Sequence, residues 1–352
     1  MGDVLIAPLY EALTERGVRF EFFSRVEAMR ASPDGNAINA VEIVHQAPLP
    51  DGPQSYDPLV EIDGLPCFPD QPNLAHGGDP RLDFESIWSE AGDDHTVVLE
   101  RGRDFDRIVL AIPVGMIPYV CSEIIEANPR WRSMVDHLGT VATQVFQLWL
   151  SADSAQLGWR QPGVTMTGFL KPFETWSSMD HLLSAEQWPP DQRPQTLTYF
   201  CNTLPTLDLP DREDRDFPKR EHERVRENAI QFLREGVRHF WPGAVDGSDF
   251  RWDLLVGGGE RTGEDRFDSQ FWRANVDPSE RYVLSLPGSD KYRLRTDASG
   301  YENLVLAGDW IDCGLNAGCL EAAVMSGLQA ANVLTGNAIT HRIAGYYLDW
   351  GK

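Results

Sequence analysis

Asn303-Leu-Val-Leu-Ala-Gly308-Asp309-Trp310, followed closely by Gly314-Leu-Asn-Ala-Gly318-Cys-Leu-Glu321-Ala-Ala-Val-Met-Ser326-Gly327-Leu-Gln-Ala-Ala331, is the stretch on which the fold turns. Asn303 to Ala307 is a short apolar run, the pattern of a buried strand. Gly308-Asp309-Trp310 reads as a turn, and roughly Gly318 to Leu334 as a helix. A strand ending in Gly-Asp puts a carboxylate at the carboxyl edge of a sheet, where α/β folds bind ligands, and Asp309 could accept hydrogen bonds from ribose or ribityl hydroxyls. The helix is expected to start with Ala317 and Gly318, so that its free N–H groups can approach a flat ligand and its dipole favours negative charge. Ala323, Gly327 and Ala331 give it a smooth face. The same pattern also describes an ordinary strand–turn–helix unit whose small residues serve packing alone.

Working outward, Phe105 to Ile112 contains the continuous apolar run Ile108 to Ile112, expected as a strand buried on both faces and ended by Pro113. A helix interrupted near Pro129 is expected between Ile117 and Leu138, and a strand over Thr143 to Leu150. Arg25 to Arg30 and Ala37 to Val44 form a hairpin around Ser32-Pro33-Asp34-Gly35, and Thr96 to Glu100 is a further strand. At the front, Leu5, Leu9 and Leu13 have helical spacing, with Gly17 as the cap and Val18 to Phe23 alternating as a strand. From Gln46 to Pro80 the chain holds eight prolines, which exclude regular helix and predict a long surface excursion.

Residues from about 140 to 290 have another texture. Gln144 to Leu150, Thr196 to Cys201 and Arg281 to Leu286 are strand-like. Val225, Ala229, Phe232, Leu233, Val237 and Phe240 line one face of an amphipathic helix between Pro218 and Pro242. The 352 residues suffice for roughly two domains of about 150 residues. The net charge of −23 repels phosphate backbones and anionic membrane surfaces, which argues against nucleic-acid binding. No apolar stretch approaches the roughly 20 residues of a transmembrane segment, since Pro113, Gly115 and Pro118 interrupt the longest. The five scattered cysteines have no zinc-type spacing and predict a reducing, cytoplasmic setting.

The runs NLVLAGDW and GLNAGCLEAAVMSGLQAA resemble the carboxyl-terminal flavin motif of the FAD-dependent amine oxidase and phytoene desaturase superfamily. GVRFEFFSRVEAMR is similar to its adenine-contacting segment, and DFDRIVLAIP to the strand leading back to the cofactor. The resemblance implies an α/β fold with FAD as cofactor, and a cofactor-binding set of Val26, Pro113, Gly308, Asp309, Asn316, Ala317 and Gly318. Asp309 would be the ribityl or pyrophosphate ligand, and Ala317 and Gly318 the backbone donors to the flavin pyrimidine. Ala322 stands where the family usually has Gly. Superfamily members open with a strand, G-x-G-x-x-G and a helix that hold the FAD pyrophosphate, and residues 1–30 contain no such motif.

The expected architecture is therefore an incomplete FAD/NAD(P)-binding Rossmann-type domain, residues 1–140 and 290–340, lacking its amino-terminal βαβ segment. An α+β substrate domain, residues 141–289, is inserted into it. The activity implied is removal of a hydride from an amine or an apolar, carotenoid-like small molecule. The alternative is a catalytically incomplete fragment or subunit that needs a partner chain carrying the G-x-G-x-x-G segment, and a binding module that reuses the fold is a third reading.

Gly257-Gly-Gly259-Glu-Arg-Thr-Gly263 fits a phosphate loop by spacing, but Glu260, Glu264 and Asp265 would oppose phosphate, and it is read as a surface turn. No zincin pattern or G-x-S-x-G elbow occurs, and no metal site is expected. Cys313 and Cys319 lie near the proposed flavin edge, where free packed thiols are the commoner state. Lys291-Tyr292 could face substrate or form a hydrated turn. No catalytic acid or base is assigned, because the cofactor carries the chemistry in flavin enzymes.

Overall fold

The computed structural model describes residues 2–47, 49, 55–72, 83–89, 95–161, 163–167, 170–206, 209–336 and 343–345. The chain forms two compact units, residues 1–18, 58–70 and 142–276 in the first, and residues 19–57, 71–141 and 277–352 in the second.

The first unit is built on an antiparallel sheet whose strands run in the order Phe271–Asn275, Thr140–Leu150, Thr196–Leu204, Thr175–Ser178, Thr165–Met166. The amphipathic helix spans Phe217–Glu235 and buries Val225, Ala229, Ile230, Phe232 and Leu233. Val237 and Phe240 lie beyond it in a 3-10 turn and at its end, yet both remain buried. Aromatic packing fills this core: Phe146 stacks on Phe200 at 4.6 Å and meets Phe173 edge-on at the same distance. The front helix is Ala7–Glu15, and Gly17 at φ +84 caps it, with Val18 N–H donating to Leu13 O. The proline-rich excursion carries a small hairpin, Val60–Ile62 with Leu65–Cys67. Its stretches 48, 50–54 and 73–80 lie outside the described residues. The Gly257 to Gly263 loop is a turn. Trp252–Leu254 before it is a 3-10 turn, and three carbonyls, of Trp252, Leu255 and Arg261, accept from the Arg266 guanidinium.

The second unit holds the hairpin Ser24–Ala31 with Ile38–His45, extended by His95–Glu100 into a three-stranded antiparallel sheet. Beside it stands a parallel pair, Ile108–Leu110 with Leu304–Leu306, in register Ile108 to Leu304. Met29, Ile38, Leu110, Ile117, Ile124, Trp131, Leu304, Leu306, Trp310 and Ala322 share one core. Pro129 starts a helix instead of interrupting one. Asn128 caps Pro129–His137 by accepting from Arg130 N–H at 3.0 Å, after the shorter helices Ile117–Val120 and Ser122–Ala127.

Two expectations fail here for physical reasons. Val18 to Phe23 is not a strand. Phe22 and Phe23, neighbours in sequence, both pack against Tyr56, which an alternating strand cannot arrange, and Phe23 takes φ +51 to do so. Nor is the Ile108–Leu110 strand buried on both faces. The helix Leu320–Leu334 covers Val305 and Ala307 through Ala330, Val333 and Leu334, while Val109, paired beside Val305, stays 43% exposed. The expected Arg281 to Leu286 strand shrinks to Tyr282–Val283, paired with Val141 and Thr140. No helix among the described residues is long and apolar enough to cross a membrane.

Candidate cofactor site

The strand Leu304–Leu306 leads into Gly308, whose φ of +134 is open to glycine. A Cβ there would run into the Trp310 indole. The indole is fixed from the other side, since its Nε1–H donates to Ile112 O at 2.9 Å. That bond ties the Gly-Asp turn to the end of the neighbouring strand, just before Pro113, which is exposed and opens the 3-10 turn Val114–Met116. Gly308 N–H donates to Ser326 Oγ at 2.7 Å, and Ser326 Oγ–H donates to Ala323 O, so the turn is also pinned to the helix behind it.

Asp309 is half-buried. Burial pushes its carboxyl above the ordinary carboxylate range, while its own backbone N–H and the Arg293 cation pull it back. The loop after it closes on Asn316, a non-glycine residue at φ +51. The Asn316 Oδ1 accepts from Cys313 N–H at 3.1 Å and Gly314 N–H at 3.2 Å, and its Nδ2–H donates to Asp312. Gln329 on the helix donates to Cys313 O at 3.1 Å and accepts from Thr296. The Asn316 side chain is thus committed to shaping the loop, and what it offers outward is backbone.

The helix begins at Leu320, not at Ala317, because Cys319 is extended at φ −156 and ψ 162. Ala317 and Gly318 are loop residues ahead of the helix, and their N–H groups have no acceptor among the described residues. A Cβ on Gly318 would sit 2.9 Å from Val283 O and 3.7 Å from the Asp309 carboxyl. Only glycine leaves that corner clear. A carboxylate beside two unpartnered backbone donors, with no side chain between them, suits the polar edge and hydroxylated tail of a flat cofactor.

Gly308, Asp309, Asn316, Ala317 and Gly318 therefore come together on one loop, and Pro113 joins them through the Trp310 bond to Ile112. Val26 stands on the antiparallel sheet, paired with Ile43, and packs on the core that also holds Leu306 and Trp310. Tyr292 is taken up by a surface stack: its ring lies 3.6 Å from His137, with Lys291 Nζ 4.9 Å from the ring centre. Cys313 and Cys319 are free thiols. Sequence reasoning missed Arg293, Ser285 and Ser326, which hold this loop from behind.

The family model for flavin containing amine oxidoreductase matches residues 63–335. The chain belongs to this family. With it comes the FAD cofactor expected from the sequence. Among solved structures, an oxidoreductase from Methanosarcina mazei is similar at 14% identity and a TM-score of 0.40, over 68% of this chain and 45% of that one. Wild-type putrescine oxidase bound to putrescine matches at 13% identity and a TM-score of 0.35, over 68% and 46%. A redesigned triple mutant of putrescine oxidase matches at 12% identity and a TM-score of 0.38, over the same shares. The chain spans about half the length of these proteins. No curated protein matches it.

Proposed function

We propose that this chain contributes to an FAD-dependent oxidoreductase acting on an amine or an apolar small molecule. The second unit would bind the flavin through Asp309, Ala317 and Gly318, with Gly308, Asn316 and Pro113 shaping that loop, and Val26 would line the adenine end. The first unit, with its aromatic antiparallel sheet, would receive substrate. When bound, FAD would supply the two-electron oxidation, and the protein's part is to hold and orient the reactants.

The observation that carries this reading is the corner formed by the Asp309 carboxylate, the two unpartnered N–H groups and the side-chain-free Gly318, inside a chain of the flavin family. The test is titration of the purified protein with FAD, read by flavin fluorescence and absorbance. Asp309→Ala lowers FAD affinity by about tenfold, the worth of a charge-assisted hydrogen bond. Equal affinity in wild type and Asp309→Ala refutes the assignment. Anaerobic bleaching by a panel of amines against a panel of apolar polyenes separates the two substrate classes.

In the same reading, the βαβ segment that grips the pyrophosphate lies outside residues 1–352, on the same or another chain. What favours this is the parallel pair itself: two strands, one apolar residue of which, Val109, is open to solvent, where parallel sheets are normally covered on both faces.

A further inference from the structure

Arg293 is the least expected residue of the site. Its side chain is 0% exposed, and its nearest carboxylate is the exposed Asp290, 3.3 Å from Nε. Nε itself has no hydrogen-bond acceptor. The terminal nitrogens are directed elsewhere: Nη1–H donates to Asp309 O at 2.8 Å, and Nη2–H to Ser285 Oγ at 3.3 Å. Ser285 Oγ–H in turn donates to Asn316 O at 2.5 Å. The segment carrying Arg293 runs alongside the motif, since Leu306 N–H donates to Thr296 O at 3.0 Å and Asp312 N–H to Leu294 O at 2.9 Å. A buried cation whose one close carboxylate is exposed, and whose other partners are neutral oxygens, gains little against its desolvation, so the stability of the fold alone does not account for its placement.

Peptide geometry does. In a planar trans peptide the C=O and the following N–H point in opposite directions. Drawing Asn316 O toward Ser285 therefore turns the Ala317 N–H away from Ser285, and that N–H finds no acceptor among the described residues. Drawing Asp309 O toward the guanidinium fixes the other end of the same loop. One forked side chain sets both ends.

We propose that Arg293, acting through Ser285, is a positioning residue that orients the Ala317 amide toward the isoalloxazine ring of the cofactor. This rests on the flavin reading of the site, and it predicts an effect on the ring rather than on the pyrophosphate. Riboflavin, which carries the ring without the pyrophosphate, is the probe that tells these apart.

The full chain, with any chain that copurifies, is titrated with FAD and with riboflavin in wild type, Ser285→Ala, Arg293→Met and Arg293→Lys. Ser285→Ala and Arg293→Met weaken both ligands by the same factor, about tenfold for one misplaced hydrogen bond. Arg293→Lys, which keeps the charge but not the fork, recovers only part of the loss. In a crystal structure of Ser285→Ala the Asn316–Ala317 peptide is rotated from its wild-type orientation. Should Arg293→Met fail to fold, Ser285→Ala still decides, because it removes a single hydroxyl from an exposed residue. Unchanged affinity in both variants, an unrotated peptide, or a loss confined to FAD overturns the proposal and leaves the flavin reading standing. A wild-type protein that binds neither ligand overturns both.

Discussion

Asn303 is 3% exposed, and its side chain stands in for a missing strand. Its Oδ1 accepts from Ile38 N–H at 2.8 Å and its Nδ2–H donates to Ile38 O at 2.9 Å, while its backbone carbonyl accepts from Ile108 N–H at 2.8 Å. One asparagine thus joins the antiparallel hairpin to the base of the parallel pair that presents Asp309. Ile38 is 0% exposed, so Asn303→Ala leaves a buried N–H and a buried C=O with no partner and no water. Each such group costs about 1–3 kcal/mol, which places the total at roughly 2–6 kcal/mol. With a urea slope of about 2–3 kcal/mol per molar, the unfolding midpoint of the second unit falls by roughly 0.7–3 M. The neighbouring Glu302→Ala is the control. Glu302 is exposed and its pair with Arg101 is 3.7 Å long, so it changes stability by less than about 0.5 kcal/mol. Amide exchange at Ile38 supplies a local readout, slow in wild type and fast in Asn303→Ala. A midpoint shift no larger than that of the control, together with a protected Ile38 amide, refutes the reasoning.

Two further perturbations test other parts of the same unit. Burial pushes the Asp277 carboxyl up to about 7, with Ile87 N–H and the Ser86 hydroxyl pulling it down and Glu280 and Asp83 adding to the rise. The folded chain then keeps a proton that the unfolded chain, with a carboxyl near 3.8, has already released. Stability therefore falls as pH rises between those two values and is level outside them. Asp277→Asn abolishes this slope and exceeds wild type by roughly 2–4 kcal/mol above pH 7, as measured by denaturant titration across pH. Gly318→Ala pushes a Cβ against Val283 O and costs about 1–3 kcal/mol in thermal unfolding while weakening FAD binding. An alanine variant that melts and binds as wild type shows that the corner is not tight.

The hairpin around Ser32 to Gly35, the strand Leu304–Leu306 and the helix behind it are legible from the sequence, because alternation, turn residues and a continuous apolar run each have one structural meaning. The start of that helix is not legible, because Gly318 and Cys319 have the composition of a first turn. Only the structure shows that the backbone at Cys319 is extended, and that a side chain at Gly318 would meet Val283 O, a residue distant in sequence. Phe20, Phe22 and Phe23 read as a strand by composition, but Tyr56 and Phe84 gather them on one side. Arg293 is invisible for a different reason. Nothing local distinguishes a buried arginine from the many exposed ones, since its burial is decided by Leu306 and Asp312 pairing with Thr296 and Leu294.

That buried charge also resolves a tension in the composition. A chain at −23 gives a poor far field for an anionic dinucleotide, and Asp309 adds one more negative charge at the site itself. Far-field repulsion, however, is screened beyond a Debye length of about 8 Å at physiological ionic strength, whereas a guanidinium shielded from water acts through a medium of low dielectric. Arg293 lies within hydrogen-bond reach of the Asp309 backbone and favours the ionised form of its carboxyl. The charge that a bound cofactor meets is therefore set by the few groups around the loop. The acidic surface bears on solubility and on which partners approach, and it does not by itself exclude FAD from this site.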